Sequence, residues 1–400
     1  MTRYNFDKIT NRKGTNCLKY DFAVERGKPA DVLPLWVADM DFPVSEEITK
    51  SLHAAVEHGI YGYTQPKDAY YNAVMNWMER NHNWKTEREW IVKTPGVVFA
   101  LGAAVKAFTD PGDAILIQNP VYYPFTNIIR DNDRRVVDNT LIYEKTARQS
   151  GDNGYRIDFE DFERKLEQEH IKLFILCNPH NPVGRVWTAE ELQQLGEICL
   201  RHHVIVVSDE IHNDFVYPGY EHTVFATVDP RFAEFTVTCT APSKTFNLAG
   251  LQISNIFIPN EKLRKAFQTE IDKTGYDEPN ALGIVACEAA YRAGEDWLDQ
   301  LRAYLLKNLN FLRNFLQEKI PQIHLVEPEG TYLVWLDCSE LGITGKELDQ
   351  FIVDKAGLWL DGGSMFGPSG AAFQRVNIAC PQATLELALN KLKAAVDNLK

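Results

Sequence analysis

Four short apolar runs in the middle of the chain are each followed at once by residues that can do chemistry. After 114–117 (AILI) come Gln118-Asn119-Pro120-Val121-Tyr122-Tyr123, and after 172–177 (KLFILC) come Asn178-Pro179-His180-Asn181-Pro182-Val183-Gly184. After 203–208 (HVIVVS) come Asp209-Glu210-Ile211-His212, and after 235–240 (FTVTCT) come Ala241-Pro242-Ser243-Lys244. A lysine, two carboxylates, a histidine, an amide and aromatic rings are the groups of amine nucleophilic and acid–base catalysis. Each has a plainer explanation alone: a solvated lysine, an Asp at a helix N-cap, an Asn-Pro turn, a core aromatic, a core histidine. Either Asp209 or Glu210 is the acid of interest. A metal site from Asp209, Glu210 and His212 lacks a second histidine at ligand spacing. Their joint delivery from four consecutive runs is the signal.

Those runs are continuously or nearly continuously apolar, as strands covered on both faces are. Amphipathic stretches separate them. The pattern predicts a helix over 188–202, where Thr188 and Glu191 form a capping-box pair, and another over 158–169 opened by Asp158. Strand–helix alternation implies α/β architecture with a mostly parallel sheet between crossover helices. Ligands of such sheets bind beyond the carboxyl ends of the strands, which is where the candidate residues stand. The segment 94–101 (TPGVVFAL) reads as a Gly turn opening a helix, whose first N–H groups suit a phosphate. The segment 147–154 reads as a polar surface loop. Further on, a long helix is expected over 294–318, strands over 323–327, 330–337 and 374–379, and helices over 346–356 and 383–398. This pattern suggests a smaller C-terminal α/β domain. The expected organisation is an N-terminal segment 1–48 packing on the small domain, a large domain 49–290 and a small domain 291–400.

Bulk properties narrow the function classes. The 400 residues are 45% hydrophobic and 24% charged, ordinary for a globular protein, with a net charge of −13. No long basic run occurs, so nucleic acid and anionic membranes are not the expected partners. Seven cysteines lie far apart with no C-x-x-C pair, which predicts neither a disulfide framework nor a zinc ribbon. The N-terminal MTRYNFDKIT carries no apolar signal-peptide core, so a cytoplasmic setting is expected.

The stretches NPHNPVG, SDEIH and APSKTFNLAGL, in this order and spacing, resemble the fold-type I pyridoxal 5'-phosphate (PLP) enzymes of the aspartate aminotransferase superfamily, over essentially the whole chain. The segment Leu35-Trp36-Val37-Ala38-Asp39-Met40-Asp41-Phe42-Pro43, His212 and Gln252 narrow the resemblance to the MalY/PatB-type cystathionine β-lyases. The resemblance implies that Lys244 holds the cofactor aldehyde covalently and acts as the base at Cα. Asp209 pairs with the ring nitrogen, Tyr122 stacks on the ring with Tyr123 the lesser candidate, and Asn181 meets the phenolic oxygen and the substrate carboxylate. His212 stands where relatives carry a tyrosine near that oxygen, and would touch either Asp209 or the oxygen. Gly96, Val97, Val98 and Ser243 would hold the phosphate; Arg375 and the backbone of Ala38 would bind the substrate carboxylate. Tyr63 would reach across from a partner subunit, making the enzyme a homodimer, and could assist proton transfer to the leaving thiolate. Trp36, Tyr122, Tyr123 and partner residues near Tyr61 would line the distal pocket. One departure stands out: aminotransferases usually carry Arg where this chain has Gln252, leaving the phosphate less charge-compensated.

The expected activity is carbon–sulfur β-lysis of L-cystathionine or related cysteine S-conjugates, giving a thiol, pyruvate and ammonia. The alternative is an aminotransferase, which shares the chemistry up to loss of the Cα proton. A ligand-sensing regulator is the more distant rival, since the chain shows no added DNA-binding module.

Overall fold

The computed structural model describes residues 4–146 and 151–399. Residues 147–150 of the expected polar loop lie outside the described residues. The centre is a seven-stranded sheet: β1 (Ile91–Thr94), β2 (Ala114–Ile117), β3 (Arg135–Asp138), β4 (Leu173–Cys177), β5 (Ile205–Asp209), β6 (Thr236–Thr240) and β7 (Ser254–Phe257). Its spatial order is β1–β7–β6–β5–β4–β2–β3. The four pairings from β6 to β3 are parallel, and β7 runs antiparallel to both β6 and β1. The expected mostly parallel sheet is present, with an antiparallel pair at one side. The four predicted strands are β2, β4, β5 and β6. Strands β1, β3 and β7 are not apparent in the sequence: β3 (RVVD) is only partly covered, and β1 (IVKT) and β7 (SNIF) mix polar residues into a four-residue run.

The helices differ in how they start. In α1 (Asp68–His82) no side chain caps the start. Neither does any cap α2 (Val97–Phe108), which follows Gly96. In α3 (Phe159–Gln168) Asp158 accepts from Asp161 N. In α4 (Ala189–Arg201) Thr188 and Glu191 form the reciprocal capping box read from the sequence. Two helices follow, α5 (Ala281–Ala293) and the long α6 (Glu295–Lys319).

A second sheet is antiparallel, in the order β8 (His324–Val326), β9 (Leu333–Asp337), β11 (Phe373–Asn377), β10 (Asp361–Gly362). The expected helix over 346–356 is split: an α-helical Gly345–Gln350 runs into a π-helical turn, Phe351–Lys355. The N-terminal segment is tied to this part of the chain. Leu33–Pro34 pairs in parallel with Leu358–Trp359, and Asp41 N donates to Ala379 O at 3.0 Å. No helix among the described residues is long and apolar enough to cross a membrane.

Close helix packing fixes the loop that follows Lys244. Gly283, in the first turn of α5, sits so near that loop that a Cβ would lie 2.6 Å from the carbonyl oxygen of Leu251. Backbone cannot give way as a side-chain tip can, so Gly283→Ala should destabilise the protein by about 1–3 kcal/mol, the range for overpacking. Chemical denaturation of the two proteins would show it; an unchanged midpoint would mean the loop is free to move.

Candidate active site

The carboxyl ends of β4, β5 and β6 open into a cleft of about 180 Å³. Each strand end delivers its residue because the chain turns sharply just after it. Asp209 is the last residue of β5, and Lys244 sits in the single turn Pro242–Thr245 that follows β6. Asn181 is in the turn after β4, and Tyr122 in the segment between β2 and the helix Pro124–Asp131. All four line the cleft, with Ala38, Ser243, His212 and the start of α2 at Gly96, Val97 and Val98.

Electrostatics sets the state of the two central groups. Asp209 is buried and accepts one hydrogen bond, from Ile211 N at 3.2 Å. Burial pushes its carboxyl up to about 7, against the opposing influence of Ile211 N and the Lys244 charge. Lys244 donates from Nζ to Ala38 O at 2.9 Å. Burial, with the positive charge of Arg375, brings its ammonium down to about 8. A lysine so lowered is a ready amine nucleophile and base near neutral pH. His212 is held well below its usual value, by burial first and then by the charges of Lys244 and Arg375. Its Nδ1 is buried without a partner. The neutral ring therefore has an unsatisfied atom at the wall of the cleft.

Arg375 lies one step behind the lining. Its Nη1 donates to Asn181 Oδ1 at 2.9 Å and its Nη2 to Trp36 O at 3.2 Å, and it is ion-paired with Asp361, directly opposite on β10. Burial raises Asp361, and the Arg375 charge works against that rise. Arg375 Nε is buried with no partner, an orphaned cationic donor of the kind a carboxylate ligand satisfies.

Several sequence expectations do not meet at this cleft. Tyr63 is 95% exposed and does not line the cleft of its own chain. Trp36 turns away to stack on Trp359, centroids 4.3 Å apart. Tyr123 packs on Phe366, so of the three residues of this chain expected around a distal pocket only Tyr122 lines the cleft. Gln252 is exposed, and the phosphate-side wall gains no cation from it. Glu210 is fully buried away from the cleft, accepting from Ser208 Oγ, Phe225 N and the ring of His222. That leaves Asp209 as the acid of the cleft.

Sequence reasoning missed the residues that hold the N-terminal segment against the lysine. Tyr332 donates from its hydroxyl to the same Ala38 oxygen at 2.9 Å. Asn247 bonds the backbone of Met40 and Phe42, and Asn377 that of Val37 and Asp39. The one available signal was Asn247 itself, three residues after Lys244. Asp361 gave no signal of its own.

These groups fit pyridoxal 5'-phosphate. An uncapped helix start beside Ser243 suits the phosphate. A buried carboxylate with unused acceptor capacity suits the protonated ring nitrogen, and a buried, lowered amine suits the aldehyde. The comparisons with known proteins agree. The profile described as aminotransferase class I and II matches residues 30–392. Cystathionine β-lyase PatB of Bacillus subtilis is 46% identical, covering 98% of this chain and 100% of its own. The structure of cystalysin from Treponema denticola, which contains a pyridoxal 5'-phosphate cofactor, superposes with a TM-score of 0.94 at 38% identity over 99% of this chain and 100% of that one. The PLP-bound C–S lyase from Staphylococcus hominis gives a TM-score of 0.91 at 35% identity, over 98% of each chain. The chain belongs to the class I and II aminotransferase family, with the PatB-type cystathionine β-lyases among its relatives.

Proposed function

We propose that this protein is a PLP-dependent carbon–sulfur β-lyase acting on L-cystathionine or a related cysteine S-conjugate, releasing a thiol, pyruvate and ammonia. The observation that carries the reading is the meeting of Lys244 and Asp209 in one cleft, in a chain 46% identical to a protein of that name. The cofactor supplies an electron sink for the charge left when the Cα proton departs. The chain's own residues do the rest. Lys244 would anchor the cofactor and would remove the Cα proton from a buried position where its amine is unprotonated at mildly alkaline pH. Asp209 keeps the ring nitrogen protonated. Tyr122, Asn181 and His212, which line the cleft, would hold the ring. Ser243, Gly96, Val97 and Val98 hold the phosphate. Arg375 and the Ala38 backbone orient the substrate carboxylate, placing the Cβ–sulfur bond for expulsion as a thiolate.

The reading includes a homodimer. Tyr63, exposed at 95% alongside the exposed Ile60 and Tyr61, would complete the cleft of a second copy and help protonate the leaving sulfur. It also includes a cytoplasmic setting, and a division into 1–48, 49–290 and 291–400 in which the first segment rides on the third. The pairing of Leu33–Pro34 with Leu358–Trp359 supports that attachment.

The deciding experiment is pyruvate release from L-cystathionine by the PLP-loaded protein with no 2-oxo acid added. Sustained turnover with matching thiol release establishes the β-lyase. One conversion that stops and restarts on adding an oxo acid makes the protein an aminotransferase, the activity in the family's own description.

Arg375 gives a narrower prediction. Hydrogen bonds to a charged group contribute about 1.5–3 kcal/mol, so Arg375→Ala should raise KM about 10–100-fold with a smaller change in kcat. The buried Asp361 loses its partner as well, so the variant should also melt earlier. Unchanged steady-state kinetics would remove Arg375 from the substrate site.

A further inference from the structure

The turn 209–214 presents Asp209 and His212 to the cleft and, on its other side, two acidic residues that the proposed reaction does not use. Glu210 and Asp214 are buried at 0% and 2% exposure. Glu210 Oε2 meets His222 Nε2 at 3.0 Å. Asp214 Oδ1 meets His82 Nε2 at 3.0 Å, and its Oδ2 accepts from Thr245 Oγ1 at 2.6 Å. The His82 and His222 rings touch edge to face, centroids 5.6 Å apart at 90°. Two acid–histidine pairs thus join into one unit behind the turn. Each pair ends next to a group of the cleft: Glu210 is the chain neighbour of Asp209, and Thr245 that of Lys244.

Burying two carboxylates is costly, and an apolar core of the same shape would serve stability at least as well. The hydrogen bonds of this unit add directional constraint, with His222 Nδ1 the one ring nitrogen left buried without a partner. The surroundings bear this out. Trp77 Nε1 also donates to Asp214 Oδ1 at 3.2 Å, and Arg302 Nε to the Asp214 carbonyl at 2.7 Å. Backbone and side chain of Asp214 are therefore both fixed, and its link toward the cleft is the Thr245 hydroxyl. Trp77 and His82 belong to α1, so the unit ties the two sheet-end turns to that helix.

We infer that His82 and His222, through Asp214–Thr245 and Glu210, are positioning residues that hold Lys244 and Asp209 in register across the cleft. This rests on the reading of those two groups as the reactive pair. Loosening the anchor at Thr245 should let Lys244 relax toward water, and its titration should then move up toward that of an ordinary lysine.

The test reads Lys244 in the cofactor-free protein, by the pH dependence of its labelling with an amine-reactive reagent, located by peptide mapping. It therefore stands even if the lyase reading fails. In His82→Leu and in Thr245→Val the labelling midpoint should rise by at least about half a pH unit. In His82→Gln, which keeps a donor for Asp214, it should return to the wild-type value. The double variant should shift less than the sum of the singles, as coupled residues do. With PLP loaded and a substrate established, kcat should fall roughly tenfold in both single variants with KM within about twofold. If His82→Leu does not fold, Thr245→Val, a near-isosteric change, decides alone. A folded Thr245→Val with an unmoved Lys244 midpoint overturns the inference, and so does a His82→Gln protein that behaves like the Leu variant.

Discussion

Replacing Lys244 by alanine should abolish turnover, lowering pyruvate release by about 10⁴-fold or more, beyond what one acid–base group alone supplies, because the same side chain also anchors the cofactor. Its Nζ is held ready for both roles, donating to one backbone oxygen, Ala38 O, in a cleft the lysine helps to line. The variant should remain folded, since the change removes a buried amine whose charge burial already disfavours. A second readout separates chemistry from cofactor loss. The purified wild-type protein should carry the yellow absorbance of covalently held PLP and lose it on reaction with sodium borohydride, with Lys244 the modified residue. A Lys244→Ala protein that turns over at the normal rate would refute the central assignment.

The strand ends were legible in the sequence because buried parallel strands leave little choice of residue. KLFILC and HVIVVS are apolar or nearly so on both faces, FTVTCT sets buried threonines on one face, and the residues just after each run must lie at the carboxyl edge of the sheet. That logic located Asn181, Asp209, His212, Ser243 and Lys244. It did not locate β1 and β7, whose polar residues are covered by neighbours rather than by apolar pattern: Thr94 and Ser254 are hydroxyl-bonded to each other at 2.6 Å inside the sheet. Nor could periodicity say which of Asp209 and Glu210 faces the cleft, because one residue's shift flips the face, and the strand's end is where the register is least certain. The partners of Ala38 and Arg375 come from at least 194 residues away or from across a strand pair, as Asn181, Tyr332 and Asp361 do. No local signal reports a contact of that kind.

Around the distal pocket the sequence suggests more than the fold delivers, because aromatic residues near a site in sequence need not line it. Trp36 instead meets Trp359 where the N-terminal segment joins the second sheet, and it serves the cleft through its carbonyl, which accepts from Arg375. Asn247 and Asn377 in turn hold the backbone of that segment beside the cleft.

Asp209→Asn should cut turnover by on the order of 10²-fold or more, the scale of losing one preorganised electrostatic partner. The amide keeps an acceptor for Ile211 N but cannot hold a ring nitrogen protonated. The same variant tests the state of the free acid. In the folded, cofactor-free protein burial lifts Asp209 to about 7, against about 3.9 in an unfolded chain. Between those values the folded state binds a proton that the unfolded state has released. Stability from this group is therefore fully present below about pH 4 and is lost as pH rises through about 7. The Tm of the wild type minus that of Asp209→Asn should decline across this window and level off above it. With PLP bound, a positive ring N–H beside the carboxylate should hold Asp209 ionised and remove the decline. Parallel Tm curves for the two cofactor-free proteins would mean that Asp209 is already ionised at pH 5, and that its burial does less than the cleft geometry implies.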